Sequence, residues 1–282
     1  MSAPRVSFEF FPPKTSEAEA SLWKTVERLA PLNPEFVSVT YGADGSTRER
    51  THQVIESILT KTSLTPVPHL TCVGAPRDEI DSIANEYWNM GVRQIVALRG
   101  DPAGGAEADY TPHPDGYAYA SDLVLGLLEK HPFELFVAAY PETHPQAMSA
   151  DADLDNLKRK VDAGGHRAIT QFFFDNEIFL RFRDRVAAAQ IDVELIPGIL
   201  PVTNFNTLVR FAGACGASIP RSLSTLFEGL DEDPTTRQLI AAHTAVSQAE
   251  DLGREGVEDF HFYTLNRADL SFAVCHALGV RG

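Results

Sequence analysis

Short runs of β-branched and aromatic residues alternate with amphipathic segments along most of the chain, and this alternation restricts the fold more than any other feature. We predict strands at 6–11, 36–40, 69–73, 94–98, 135–140, 168–173, 193–199 and 259–263. Segments with helical spacing separate them, and we predict helices at 16–29, 48–60, 79–90, 121–130, 152–162, 177–188 and 235–252. Strands that alternate with helices favour parallel βαβ units, and eight such units close into a (β/α)8 TIM barrel. A doubly wound open sheet is the alternative α/β arrangement.

The last third of the chain carries more helical segments than one barrel unit needs. Three of them, at 205–214, 220–228 and 235–252, lie between the seventh and eighth predicted strands. We therefore expect extra helices near the C-terminal end. The chain has 282 residues, of which 44% are hydrophobic, and barrels of about 250 residues commonly form one domain. We predict a single domain over residues 1–282.

Charge and composition argue against two classes of partner. The chain has 39 acidic and 24 basic residues, a formal net charge of −15, and a nucleic-acid-binding protein normally shows a basic stripe instead. No apolar run approaches the roughly 20 residues that cross a bilayer, and we expect no hydrophobic leader. The cysteines (Cys72, Cys215 and Cys275) form no CxxC pair, so we expect free thiols in the reducing cytoplasm.

Several common catalytic motifs are missing from the sequence. We find no GxGxxG after a strand, no GxxxxGK[ST], no GxSxG and no HExxH. Rossmann-type dinucleotide binding, P-loop phosphoryl transfer, α/β-hydrolase chemistry and zincin chemistry therefore lose support. We expect no metal ion.

Polar residues follow the predicted strands at their carboxyl ends. In a barrel these ends build the active site, whatever the chemistry. The polar side chains are Glu9 inside the first strand and His69 in the third, with Thr40, Tyr41, Arg99, Asp101, Tyr140, His144, Gln171 and Arg267 at or after the ends of the others.

Glu9 is the strongest candidate among them for a catalytic role. It lies within the segment FEFFPP (8–13), between aromatic residues and two prolines. A setting of low polarity raises the pKa of a carboxyl group, which would suit Glu9 to act as a general acid near neutral pH. The alternative is a structural pair between Glu9 and an arginine such as Arg99.

The helix predicted after the fifth strand has a polar stripe as well as an apolar one. Asp153, Asn156, Arg159 and Lys160 follow each other at helical spacing. Such a stripe could hold a pyrophosphate and a ribose, with the two cations on the phosphates. It could equally be a solvated helix face, and Asp151 or Asp153 could cap the helix.

Taken together, these segments resemble the methylenetetrahydrofolate reductase family over nearly the whole chain. The resemblance rests on the number, order and spacing of nine stretches. They are FEFFPPKT (8–15), FVSVTYGA (36–43), PHLTC (68–72), VALRGDP (96–102), AAYPETHP (138–145), NLKRKVDAG (156–164), ITQFFFD (169–175), IPGILPV (196–202) and DFHFYTLNRA (259–268).

The resemblance implies a (β/α)8 barrel that carries FAD. Such an enzyme reduces 5,10-methylenetetrahydrofolate to 5-methyltetrahydrofolate, with NADH or NADPH as electron donor. Because donor and folate use the same face in turn, the kinetics should be ping-pong. The residues that would line the FAD site are Thr40, Tyr41, Ala43, His69, Arg99, Gly100, Asp101, Ala120, Tyr140, His144, Ala147, Asp153, Asn156, Arg159 and Lys160.

By the same resemblance, five residues would act on the folate or the nicotinamide. Glu9 would protonate the folate N10, which opens the ring to an electrophilic N5 iminium, and Asp101 would stabilise that cation. Gln171 would hydrogen-bond the pterin or the nicotinamide. Phe211 would stack on the nicotinamide or the folate's aromatic ring, and Arg267 would meet the acidic portion of the folate.

Two features depart from the family pattern. The loop 102–116 looks longer than in close relatives, and Thr207 stands where some members have a glutamine that touches the ligands. We also expect a homo-oligomer, without the regulatory domain of eukaryotic members.

Two other functions stay open. One is a flavin-free barrel that binds a folate or pterin in one-carbon transfer. The other is a non-enzymatic barrel that binds flavin or folate as a partner protein.

Overall fold

The computed structural model describes residues 3–41, 48–102, 108–202 and 204–282. Within these ranges the strands are β1 (Arg5–Phe10), β2 (Val37–Val39), β3 (Pro66–Thr71), β4 (Gln94–Leu98), β5 (Glu134–Ala139), β6 (Gly165–Thr170), β7 (Glu194–Ile196), β8 (Gly198–Ile199) and β9 (Asp259–Tyr263). The α-helices are α1 (Ser16–Leu29), α2 (Arg48–Lys61), α3 (Arg77–Met90), α4 (Ala120–Lys130), α5 (Ala150–Asp162), α6 (Asn176–Ala188), α7 (Phe205–Cys215), α8 (Arg221–Phe227), α9 (Pro234–Arg254) and α10 (Ala268–Ala277).

The strands form one parallel sheet in the order β7-β6-β5-β4-β3-β2-β1-β9-β8. The two edge strands, β7 and β8, are neighbours in the chain and are separated only by Pro197. Proline has no N–H to donate, so it interrupts the ladder here. Its carbonyl still accepts from the backbone N–H of His261 at 3.0 Å, so the residue that joins the two edge strands is bonded to β9. The predicted (β/α)8 barrel is confirmed, with its seventh strand in two pieces.

Several predicted boundaries are wrong. Strands β3 and β6 begin at Pro66 and Gly165, three residues before the predicted starts at 69 and 168. Proline and glycine weaken a strand pattern in the sequence, but both are tolerated at the start of a strand. Pairing with the neighbouring strands fixes the true register, with Pro66 opposite Val37 and Gly165 opposite Leu135.

The C-terminal region contains the extra helices that we predicted, and one that we missed. Helices α7, α8 and α9 follow β8, and a small apolar cluster that includes Leu208, Leu223 and Phe227 joins them to the barrel. Helix α10 was not predicted. It packs against α1 and α9, where it completes the outer ring after the last strand.

A compact plug of side chains fills the barrel interior. Phe36, Val67, Val96 and Phe136 are among its buried members. At the amino-terminal end of the strands, the guanidinium of the buried Arg167 lies 5.2 Å from the Phe136 ring centroid. The plug fills this end of the barrel interior, and the active site of a barrel lies at the other end, at the carboxyl ends of the strands.

No helix in the described part of the chain is both long and apolar enough to cross a membrane.

Candidate functional site

Two adjoining cavities lie at the carboxyl ends of the barrel strands. The outer cavity has a volume of about 760 Å³ and the inner cavity about 270 Å³. Both walls include Leu98, Ala138 and Tyr140, so the cavities meet along these three residues. Their sizes suit a cofactor and a small substrate side by side.

The outer cavity brings together most of the residues that the family resemblance assigned to FAD. Those that line it are Arg99, Gly100, Asp101, Ala120, Tyr140, His144, Ala147, Asp153, Asn156, Arg159 and Lys160. The polar stripe of α5 therefore faces a cavity, and the alternative of a fully solvated helix face is wrong.

Lys160 is the most unusual member of this stripe. Only 6% of the residue is exposed, and its Nζ donates to the carbonyl oxygen of Ala138 at 2.5 Å. Burial lowers the pKa of Lys160 to about 8, although the charge of Asp153 opposes the shift. A buried ammonium group costs stability unless it is paired, so its retention at a cavity wall points to a role in binding.

The turn after β4 depends on a glycine. Gly100 has φ +83°, and a Cβ on it would lie 2.5 Å from Cγ1 of Val73. Only glycine fits there, and the turn places Arg99 and Asp101 in the wall of the outer cavity. The Arg99 guanidinium lies 3.7 Å from the Asp101 carboxylate and 4.6 Å from the Tyr110 ring centroid.

The segment after β5 is fixed by contacts to α5. The His144 backbone N–H donates to the Asp153 carboxylate at 2.9 Å, and the Tyr140 and His144 rings meet edge to face at 4.6 Å. Burial lowers the pKa of His144, which favours the neutral ring. Helix α5 is capped by Ser149, whose side chain accepts from the Ala152 N–H, so capping by Asp151 or Asp153 is wrong.

The inner cavity collects the remaining predicted polar residues and several apolar ones. The predicted residues in its wall are Glu9, Thr40, Tyr41, His69, Gln171 and Phe211, besides Tyr140 of the shared wall. Apolar rings cover one side, where Phe172 stacks on Phe211 with centroids 5.4 Å apart. Phe211 itself is 44% exposed, so it can meet a ligand that enters from solvent.

Glu9 lies deep in this cavity and is 7% exposed. Its carboxylate is 3.5 Å from Nε2 of His69 and 3.8 Å from Nε2 of His261. The alternative pairing of Glu9 with Arg99 is therefore wrong, since Arg99 contacts Asp101. Burial lowers the pKa of His69 more than the nearby carboxylate raises it, so a neutral imidazole is favoured beside Glu9.

The buried Nε2 of His69 has no hydrogen-bond partner among the residues that the structure describes. Buried polar atoms are usually paired, and this one borders a cavity. A ligand group that accepts or donates a hydrogen bond would satisfy it.

Two residues of interest, Arg267 and Thr207, do not line either cavity. Ala43 lies outside the described residues. Arg267 is exposed where α10 begins, and Thr207 is exposed on α7, where its N–H donates to Asn204 at 2.9 Å.

The sequence analysis did not identify other residues that line the inner cavity or contact the Glu9 carboxylate. Tyr263 and Leu265 line the cavity, and His261 lies behind Glu9. The period-2 alternation of β9 could have placed His261 and Tyr263 on one face, because Phe260 and Phe262 alternate with them and point the other way into the core.

Among the described residues, no group of His, Cys, Asp and Glu side chains is arranged to hold a metal ion. Glu9 and the imidazole of His69 line the inner cavity, and the cations Arg99, Arg159 and Lys160 line the outer one.

Comparison with known proteins identifies relatives over the same residues. A sequence model of the family "Methylenetetrahydrofolate reductase" matches residues 2–279. The 5,10-methylenetetrahydrofolate reductase of Salmonella typhimurium is 58% identical, covering 98% of this chain and 91% of the relative. The Escherichia coli reductase of the same name is 57% identical with the same coverage.

A solved structure shares the fold at low identity. It is an uncharacterised protein from Clostridium thermocellum that binds two copies of 5-methyl-5,6,7,8-tetrahydrofolic acid. Its TM-score is 0.64 at 15% identity, covering 99% of this chain and 95% of the other. The fold comparison agrees with the barrel, and the sequence relatives decide the family. The chain belongs to the methylenetetrahydrofolate reductase family.

Proposed function

We propose that this protein reduces 5,10-methylenetetrahydrofolate to 5-methyltetrahydrofolate, with FAD in the outer cavity and the folate in the inner cavity. Relatives that are 57% and 58% identical carry the name 5,10-methylenetetrahydrofolate reductase. The observation that carries the proposal for this chain is the buried carboxylate of Glu9. It faces a cavity of about 270 Å³ that meets the larger cation-bearing cavity.

The outer cavity suits a dinucleotide that carries a pyrophosphate. A protein with a net charge of −15 needs local cations to hold an anion, and Arg99, Arg159 and Lys160 all line this cavity. Arg159 and Lys160 would hold the phosphates, while Asp153 and Asn156 would accept and donate hydrogen bonds at the ribose hydroxyls.

The flavin ring system would occupy the boundary between the cavities, where Leu98, Ala138 and Tyr140 line both. When bound there, FAD would supply hydride transfer, from NADH or NADPH to the folate. The pyridine nucleotide and the folate would both approach the flavin from the inner cavity and would therefore enter it in turn. Ping-pong kinetics follow from this sharing.

Glu9 would serve as the acid that protonates N10 of the folate. Its position between His69 and His261, at 3.5 and 3.8 Å, fixes the carboxyl group at the cavity wall. Asp101 lies at the edge of the outer cavity, where its charge would stabilise a cationic folate. Gln171 and Phe211 line the inner cavity and would orient the pterin or nicotinamide by hydrogen bonding and stacking.

The substitution Glu9→Gln tests the role of the acid. Glutamine keeps the shape of the side chain but cannot donate a carboxyl proton, and general acid catalysis contributes about 10²- to 10⁴-fold. In anaerobic stopped-flow experiments, we expect reoxidation of the reduced flavin by methylenetetrahydrofolate to slow by at least about 10²-fold. Reduction of the flavin by NADH should change much less.

The matched control is Glu258→Gln, because Glu258 is 71% exposed and precedes β9 at the opposite end of the barrel. This variant should behave as wild type in both half-reactions. Equal slowing of both half-reactions by Glu9→Gln, or unchanged reoxidation, would show that Glu9 is not the acid.

A further inference from the structure

The turn that follows β9 has a backbone conformation that residues other than glycine rarely adopt. Leu265 and Asn266 are consecutive left-handed residues, with φ 51° and 53°. Asparagine tolerates this region, but a bulky leucine there is an outlier that costs about 1–3 kcal/mol. Such a conformation persists only when the surrounding contacts over-determine it. Leu265 borders the inner cavity, so the strained turn forms part of the site.

The side chain of Asn266 fixes one end of this turn to the chain just after β1. Its Oδ1 accepts from the Phe11 N–H at 2.9 Å, and its Nδ2 donates to the Phe11 carbonyl at 2.9 Å. The backbone pairing of β1 with β9 ends with Glu9 opposite Tyr263. The side-chain amide of Asn266 therefore extends the β1–β9 ladder by one step, because it bonds the Phe11 backbone where a residue of β9 would otherwise pair with it.

Thr264 fixes the other end of the turn directly to Glu9. Its Oγ1 donates to the Glu9 carbonyl at 2.6 Å and accepts from the Asn266 N–H at 3.1 Å. Helix α1 holds the turn from behind, because the Thr25 hydroxyl donates to the Asn266 carbonyl at 2.9 Å. The backbone of Glu9 is thus bonded to a turn that is itself held by two other elements.

From these contacts, we propose that Thr264 and Asn266 are positioning residues that hold the Glu9 carboxyl at the wall of the inner cavity. This role rests on the proposed function of Glu9 as the acid. Neither side chain lines the outer or the inner cavity, so both act through the backbone, Thr264 at the Glu9 carbonyl and Asn266 at Phe11, two residues further along the chain. Displacing a reacting group by about 1 Å can cost on the order of 10²-fold in rate, which sets the size of the expected effect.

Thr264→Val and Thr264→Ser form the first pair of test variants. Valine keeps the branched shape but loses the hydroxyl, whereas serine keeps the hydroxyl. We expect Thr264→Val to slow reoxidation of the reduced flavin by methylenetetrahydrofolate about 10- to 100-fold. Reduction by NADH, normalised to bound flavin, should stay within about twofold of wild type, and Thr264→Ser should restore reoxidation.

Thr62→Val is the matched control for loss of a hydroxyl. The Thr62 Oγ1 also donates to a backbone carbonyl, that of Ile58 at 2.7 Å, and accepts from an N–H two residues on, that of Leu64 at 3.1 Å. It precedes β3, at the other end of the barrel. This variant should leave the ratio of the two half-reaction rates unchanged.

Asn266→Gly and Asn266→Asp supply an independent test if Thr264→Val folds poorly. Glycine accepts the left-handed backbone but removes the side-chain bonds to Phe11. An ionised aspartate keeps the acceptor but cannot donate to the Phe11 carbonyl. Both variants should slow reoxidation selectively, as Thr264→Val does.

Two outcomes would overturn the positioning role, and they differ from failure of the proposed function. The first is a full rate of reoxidation in Thr264→Val or Asn266→Gly. The second is an equal fall in both half-reactions, which a purely structural role would give. If wild-type protein itself shows no reoxidation by methylenetetrahydrofolate, the acid role of Glu9 fails, and the positioning role fails with it.

Discussion

The buried ammonium of Lys160 makes the stability of the protein depend on pH in a way that one substitution should remove. Burial lowers the pKa of Lys160 from 10.5 to about 8 in the folded chain. Between these two values the unfolded chain binds more protons than the folded chain. The free energy of unfolding therefore rises with pH in this window, and the cost of the buried charge is present in full below about pH 8.

The size of this effect follows from the two pKa values. A difference of 2.5 units between 10.5 and about 8 corresponds to about 3 kcal/mol in total. Between about pH 6.5 and 9.5 the contribution of Lys160 to stability should rise by about 2 kcal/mol. Lys160→Met should abolish this rise. Near pH 7 the net change in stability should be small, because relief of the buried charge is offset by the lost bond to Ala138, worth about 1.5–3 kcal/mol.

The assay is urea unfolding of wild-type and Lys160→Met protein across this pH range, both without flavin. Lys158→Met is the matched control, since Lys158 lies on the same helix with its side chain 45% exposed and paired to Asp162. We expect the difference between wild type and Lys160→Met to change with pH, and the difference for Lys158→Met to stay nearly constant. Parallel curves for wild type and Lys160→Met would show that Lys160 is not the source of the pH dependence. The same variant should bind FAD about 10- to 100-fold more weakly, because a charge-assisted hydrogen bond is lost.

Two further predictions concern the backbone and the plug of the barrel. Gly100→Ala should destabilise the protein by at least about 2 kcal/mol in urea unfolding, because the residue has φ +83° and its Cβ would lie 2.5 Å from Val73. Gly213→Ala is its control, since a Cβ there meets nothing within 4 Å, and it should be neutral or stabilising by up to about 1 kcal/mol. Arg167→Met should cost about 1.5–3 kcal/mol, because the buried guanidinium pairs with Glu35 at 2.9 Å and Glu194 at 2.8 Å; a loss below about 0.5 kcal/mol would contradict this view of the plug.

The architecture could be predicted from the sequence because the same hydrophobic pattern recurs in every βα unit. Each βα unit has a strand run followed by an amphipathic helix, and the predicted bounds of α1, β4 and β9 agree with the structure. The errors lie where long-range pairing outweighs local preference. Pro66 and Gly165 begin strands because neighbouring strands supply their partners, and Pro197 divides β7 from β8 although the sequence run is continuous.

The outer cavity was the better predicted half of the site. Arg99 and Gly100 fall in a recognisable stretch at the end of β4, Arg159 and Lys160 fall in another on α5, and all four line the cavity. The burial of Lys160 could not be read from the helix periodicity, because it depends on how α5 packs on β5.

The surroundings of Glu9 were harder to predict. Its neighbours His69 and His261 come from strands 192 residues apart in the chain. The two histidines come together only when the barrel closes, so no local sequence pattern predicts that they are neighbours. The bond from Thr264 to the Glu9 carbonyl is likewise made across 255 residues, and no local pattern signals it.

The proposed reaction requires one flavin in the outer cavity to carry hydride from a pyridine nucleotide to methylenetetrahydrofolate. It can be tested by following the visible flavin absorption of the purified wild-type protein without oxygen, adding NADH first and methylenetetrahydrofolate second. We expect bleaching by NADH and recovery on adding the folate, with about one 5-methyltetrahydrofolate formed per flavin. A protein that binds no FAD, or a flavin that NADH bleaches but the folate does not restore, would contradict it.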